Sequence, residues 1–145
     1  MTLAPSSKPK LLFVCVENAG RSQMAEAFAR RKGLQAASAG TVPAESVNPA
    51  VVEAMAEKAF NFALKKPKML TMEMIDQADV VVTMGCSVEE VCPRPMLVKM
   101  QKKLIDWNLE DPKGKSLAEA RRIRNEIERR VEELAQSTKE NARPV

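Results

Sequence analysis

The stretch Leu11-Leu12-Phe13-Val14-Cys15-Val16-Glu17-Asn18-Ala19-Gly20-Arg21-Ser22-Gln23-Met24-Ala25-Glu26-Ala27-Phe28-Ala29 decides the fold. Leu11 to Cys15 is a short, continuously apolar run, as a parallel strand covered on both faces requires. From Arg21 the composition turns to good helix formers, with Met24, Ala27 and Phe28 on one face. Cys15 to Gly20 is therefore a strand-to-helix turn. Cys15 stands at the carboxyl end of its strand, where open α/β sheets bind their ligands.

Further along, Leu34 to Ser38 reads as a second strand, ended by Ala39-Gly40-Thr41. Asn48 and Pro49 supply an N-cap and a first helical residue, followed by an apolar face of Val51, Val52, Met55 and Ala59. A short helix is expected over 71–77, a strand from Asp79 to Met84, a helical turn over 87–91 stopped by Pro93 and Pro95, and a strand at 104–107. Ser116-Leu117-Ala118-Glu119 is a capping box opening a long helix with Leu117, Ile123, Ile127, Val131 and Leu134 inward. Strands alternating with helices define an α/β fold with a parallel sheet. Residues 1–145 are expected to form one domain, with tails at 1–8 and from about residue 138 to 145.

Composition narrows the chemistry. The 145 residues include 23 Lys and Arg, 19 Asp and Glu, three Cys, and neither His nor Tyr. Without His there is no Ser-His-Asp triad, no Cys-His pair and no HExxH zinc site. Three Cys leave a structural zinc site one ligand short unless carboxylates help, and no bound metal is expected. An odd number of Cys argues against a secreted disulfide framework and for a reducing compartment, the cytoplasm. Acidic and basic residues are interleaved and aromatics are few, so neither nucleic acid nor a membrane is expected as partner. The net charge of +4 is mild and suits an anionic ligand.

The turn has a chemistry of its own. Arg21 follows Cys15 by six positions and Ser22 follows Arg21. Successive N–H groups of Val16, Glu17, Asn18, Ala19, Gly20, Arg21 and Ser22 can converge on one anion, and the helix N-terminus adds positive potential. Arg21 offers a planar fork for two anion oxygens, Ser22 a hydrogen bond to sulfur, and Asn18 a residue tolerant of left-handed backbone. The same field favours a thiolate without any imidazole. The plainer alternative is a buried Cys that only ends a strand.

The Cys-x5-Arg-Ser unit between strand and helix resembles the phosphate-binding loop of the low-molecular-weight tyrosine phosphatase superfamily. Ser38-Ala39-Gly40-Thr41 resembles that family's second-strand ending, and Asp111-Pro112 its general-acid loop. The likeness runs from about Lys10 to the end of the long helix. It implies three layers: a four-stranded parallel sheet flanked by helices on both faces. Taken alone, Asp111 before Pro112 is equally an ordinary turn residue.

Cys86 and Cys92 separate the reaction classes. If the segment between them is helical, six residues advance it about 9 Å, whereas a disulfide needs Cα atoms within roughly 7 Å. Pairing would then require unwinding, and on spacing alone both read as small core residues. The segment from Val14 to Glu26, with two Cys after the third strand, is similar to the thioredoxin-coupled arsenate reductases. That resemblance implies catalytic roles for Cys15, Arg21, Cys86, Cys92 and Asp111. Its substrate would be arsenate, with phosphate or sulfate as mimics, and thioredoxin would be the external reductant of a monomeric enzyme with no bound cofactor. Asn18, Glu26 and Ser38 match positions that hold potassium in some of these reductases. Lys68 stands where an acidic residue is expected, so its ammonium would take the cation's place; a solvated loop is the alternative for Lys65, Lys66 and Lys68.

Three other functions fit parts of this pattern. A low-molecular-weight phosphatase is opposed by the absence of Tyr, since Lys113 follows Pro112. An arsenate–small-thiol transferase would not need Cys86 and Cys92. A non-catalytic anion- or nucleic-acid-binding module would not need Cys15.

Overall fold

The computed structural model of the chain describes residues 9–84, 95, 98 and 103–142. Its elements are β1 (Lys10–Cys15), α1 (Arg21–Arg31), β2 (Gln35–Gly40), α2 (Pro49–Ala56), α3 (Met72–Gln77), β3 (Val80–Thr83), β4 (Leu104–Asp106) and α4 (Leu117–Ala142). The strands form one parallel sheet in the order β2-β1-β3-β4. Connections leave β1 toward β2 on one side and return to β3 on the other. The carboxyl end of β1 thus lies at the point where strand order reverses, where a ligand crevice opens.

Alternation along β1 explains its unbroken apolar run. Leu11, Phe13 and Cys15 face one core with Met24 and Phe28 of α1, Val51 and Met55 of α2, and Ile123, Ile127 and Val131 of α4. Leu12 and Val14 face a second, smaller core with Ile75 of α3, Leu70, Ala78 and Val81. Helices thus cover both faces of the four-stranded sheet, the three-layer α/β arrangement expected. Pro at the first position and Asn48 Oδ1 accepting from Ala50 N at 2.9 Å start α2. Thr71 caps α3, and Ser116 Oγ accepts from Glu119 N at 3.2 Å at the start of α4.

Several details differ from expectation. β2 runs on to Gly40, because its last residues pair with Val14 and Cys15. α2 stops at Ala56; Ala59 lies beyond it, exposed, at φ 68°, and Ala54 takes the inward place. Leu117 and Leu134 are only half-buried, and the buried Arg124 joins the inward face of α4. Helical backbone continues to Ala142, past residue 138 where a tail is expected. Pro95 carries helical backbone. The segment 87–91, Pro93, the N-terminal tail at 1–8 and residues 143–145 lie outside the described residues. Among the described residues no helix is long and apolar enough to cross a membrane.

Candidate active site

The turn between β1 and α1 is held from outside through its carbonyls. Those of Cys15, Val16, Glu17, Ala19 and Gly20 accept from the N–H groups of Thr41, Val42, Ala44, Asn48 and Met24, at 2.8 to 3.3 Å. With the carbonyls committed outward, the N–H groups are free to face inward, the geometry of an anion nest. Asn18 adopts φ 53°, the left-handed conformation its residue type tolerates. Gly40 lies directly beneath: a Cβ there would be 2.6 Å from Val16 O and 2.8 Å from Asn18 N.

Cys15 Sγ accepts from Asn18 N at 3.2 Å and lies 2.9 Å from Ser22 Oγ. Asn18 Nδ2 donates to Ser22 Oγ at 2.7 Å and to Ser38 Oγ at 3.1 Å. Asn18 Oδ1 accepts from Gln23 Nε2 at 3.1 Å and Lys68 N at 2.8 Å, so every hydrogen-bonding site of this amide is engaged. Ser38 Oγ passes the chain to Glu26 Oε1 at 2.5 Å. Glu26, itself buried, faces two cations: Arg30 Nε at 3.1 Å and Lys68 Nζ at 3.7 Å. The place matched to potassium in the resemblance thus has a lysine ammonium beside its carboxylate.

Arg21 is nearly buried and donates through Nη1 to Met84 O and Leu109 O, each at 2.9 Å. Its Nη2 lies 3.6 Å from Asp111 Oδ2. Asp111 also closes a turn, accepting from Lys113 N at 3.0 Å, so the turn role and the site role coexist. Pro112 packs on Gly20, where a Cβ would come within 2.9 Å of its ring. Lys113 Nζ meets Glu17 Oε2 at 2.8 Å, and this carboxylate holds the Lys113 ammonium above the usual lysine range.

These groups enclose a cavity of about 290 Å³. Cys15, Glu17, Ala19, Gly20 and Arg21 line it from the loop, Asp111, Pro112 and Lys113 from the opposite segment, and residues near Val47 and Asn48 from a third side. The structure therefore brings Cys15, Arg21 and Asp111 to one small cavity. The Asn18 and Ser22 side chains are buried behind it, and Val16 packs toward the smaller core. Cys86 and Cys92 lie outside the described residues; Met84, two positions before Cys86, is described, and Arg21 holds its carbonyl. Sequence reasoning missed Gln23 and the Glu17–Lys113 pair. A lone amide within a buried helical turn was the available signal for Gln23; nothing local signals a pair separated by 96 positions.

A thiol, an arginine and a carboxylic acid around an anion nest are the groups with which a thiolate could attack a tetrahedral oxyanion. Residues 10–143 match the low molecular weight phosphotyrosine protein phosphatase family, and the chain belongs to it. It is 38% identical to the thioredoxin-dependent arsenate reductase of Corynebacterium glutamicum, with a TM-score of 0.71 over 94% of this chain and 64% of that one. An arsenate reductase of Brevibacillus brevis is 32% identical over 90% of this chain and 97% of its own length. The arginine phosphatase YwlE of Geobacillus stearothermophilus is 27% identical, with a TM-score of 0.80 over 90% of this chain and 93% of that one. The chain is an enzyme of this family.

Proposed function

We propose that this enzyme reduces arsenate to arsenite through a relay of Cys15, Cys86 and Cys92, recharged by thioredoxin. The observation that carries the reading is the placement of Cys15 Sγ, hydrogen-bonded to Asn18 N and Ser22 Oγ, in one cavity with Arg21 and Asp111. Arsenate is held by the loop N–H groups and Arg21. The Cys15 thiolate attacks arsenic, and Asp111 gives its proton to the departing oxygen, which leaves as water. Cys86 then attacks Cys15 Sγ; the sulfur–arsenic electron pair stays on arsenic, As(V) becomes As(III), and arsenite leaves. Cys92 attacks Cys86, freeing Cys15 and leaving a Cys86–Cys92 disulfide. A thioredoxin dithiol accepts that disulfide.

The names of two relatives support arsenate as substrate, and one supports thioredoxin as reductant. The relay needs free thiols at rest, which places the enzyme in the cytoplasm. It works as a monomer without bound cofactor or metal, Lys68 serving as the cation beside Glu26. Phosphatase activity is the second reading, favoured by the likeness to an arginine phosphatase and by the equal charge and shape of arsenate and phosphate. Mass mapping after one turnover with arsenate tests the choice. A Cys86–Cys92 bond is expected; three free thiols would overturn the relay in favour of hydrolysis.

A further inference from the structure

The oxyanion loop and the segment carrying Asp111 meet at three levels. Deepest, the Arg21 guanidinium, its side chain 9% exposed, holds Leu109 O and faces Asp111. Next to it, Pro112 packs on Gly20. Outermost, Glu17 Oε2 and Lys113 Nζ join at 2.8 Å, with side chains 33% and 68% exposed. Both members of this outer pair line the cavity, from opposite walls. Their ion pair therefore spans its mouth.

In-line attack by Cys15 would set the departing oxygen away from sulfur, toward the wall of the cavity formed by Asp111, Pro112 and Lys113. In a free oxyanion this is a bare hydroxyl. In an organic ester it carries a substituent that must pass between Glu17 and Lys113. We propose that the Glu17–Lys113 bridge is a selectivity filter, passing free inorganic oxyanions and disfavouring aryl esters and their analogues. This rests on the oxyanion-loop reading above. The pair has a second use: an unpaired Glu17 carboxylate would repel an incoming anion, and Lys113 cancels that charge at the rim.

The test uses the reduced, full-length protein and calorimetric titration with two anions that are not reduced, phosphate as the free oxyanion and phenylphosphonate as an ester analogue that does not turn over. The double variant Glu17→Gln/Lys113→Gln removes the bridge without changing net charge. The exchange variant Glu17→Lys/Lys113→Glu rebuilds it in reverse. The ratio of phenylphosphonate affinity to phosphate affinity should rise about fivefold in the Gln pair, as opening an exposed ion pair allows. The exchange variant should return the ratio to that of the parent. Thermal melts should match the parent's, because the pair is exposed. An unchanged ratio in the Gln pair, or an exchange variant that behaves like it, overturns the filter. Failure of the parent to bind phosphate at all strikes instead at the oxyanion loop, and the filter falls with it.

Discussion

Ser22 Oγ lies 2.9 Å from Cys15 Sγ and accepts from Asn18 Nδ2 at 2.7 Å. A thiolate has no hydrogen to give, so when Cys15 is ionised the single hydroxyl hydrogen of Ser22 is the one that joins the two. Asn18 thus works twice, through its backbone N–H on the sulfur and through its side chain on the orientation of Ser22. For Ser22→Ala, kcat for arsenate should fall roughly ten- to a hundredfold, the worth of one hydrogen bond to a charged group. KM should hardly move, since arsenate does not touch this hydroxyl. Alkylation of Cys15 by iodoacetamide at neutral pH, followed by mass spectrometry, should slow in parallel. Unchanged alkylation would place Ser22 outside thiolate stabilisation.

Asp111 stands 3.6 Å from Arg21 and belongs to the same cavity as Cys15. The proposed general-acid role would have it act on the departing oxygen and not on binding. Asp111→Asn should therefore lower kcat by about 10²–10³-fold while KM stays close to the parent value. The Asn side chain can still accept from Lys113 N, so the turn is preserved. A kcat within a factor of a few of the parent would return Asp111 to its plain turn role.

The strand–turn–helix unit was legible because each part is local: an apolar run, a residue suited to φ 53° and a run of helix formers. The caps at Asn48 and Ser116 were legible for the same reason, whereas Thr71, placed inside the short helix, is its cap. Remote pairings were not. Lys113 meets Glu17 and Arg124 meets Glu57 across long stretches of chain, and no periodicity reports such encounters. Arg124 of α4 is buried and donates to Ala54 O at 2.9 Å, a place its charge alone does not announce. Gly40 was noted as a strand ending, but its reason lies in the loop packed against it.

Gly40→Ala makes that reason measurable. The new methyl would meet backbone atoms at 2.6 and 2.8 Å, and backbone cannot turn aside as a side-chain tip can. The loop must shift, at a stability cost of about 1–3 kcal/mol in urea titrations. Arsenate binding should suffer beyond what that cost explains, because the displaced atoms belong to the anion nest. A variant that binds arsenate as the parent does would show that the loop tolerates the shift.

Lys68 Nζ lies 3.7 Å from Glu26 Oε1, at the far end of the chain running through Ser38 and Asn18 to Ser22. If this ammonium supplies the positive charge there, exchanging potassium for sodium should leave arsenate kinetics of the parent unchanged. Lys68→Asp should weaken arsenate turnover in sodium and recover it as potassium chloride is raised. A parent enzyme that requires potassium would show that Lys68 does not take the cation's place.

Glu57 ties α2 to α4, receiving Arg121 Nη2 at 2.6 Å and Arg124 Nη1 at 2.7 Å. The Arg121 hydrogen bond, then that of Arg124, lowers its pKa from 4.5 to about 2. A carboxylate depressed on folding stabilises the protein fully above its unfolded value. That contribution is lost as pH falls from about 4.5 toward 2. Thermal melts from pH 7 to pH 3 should therefore show a decline in Tm below about pH 4.5. Glu57→Gln should lower Tm at pH 7 and flatten that part of the acid decline, since its side chain has no proton to gain. Because Glu57 is remote from the cavity lined by Cys15 and Arg21, its arsenate KM at pH 7 and low temperature should match the parent's. An acid decline equally steep in Glu57→Gln would assign it to other carboxylates, of which Glu126 is the first to test, being lowered to about 2 by Arg129 and Arg130.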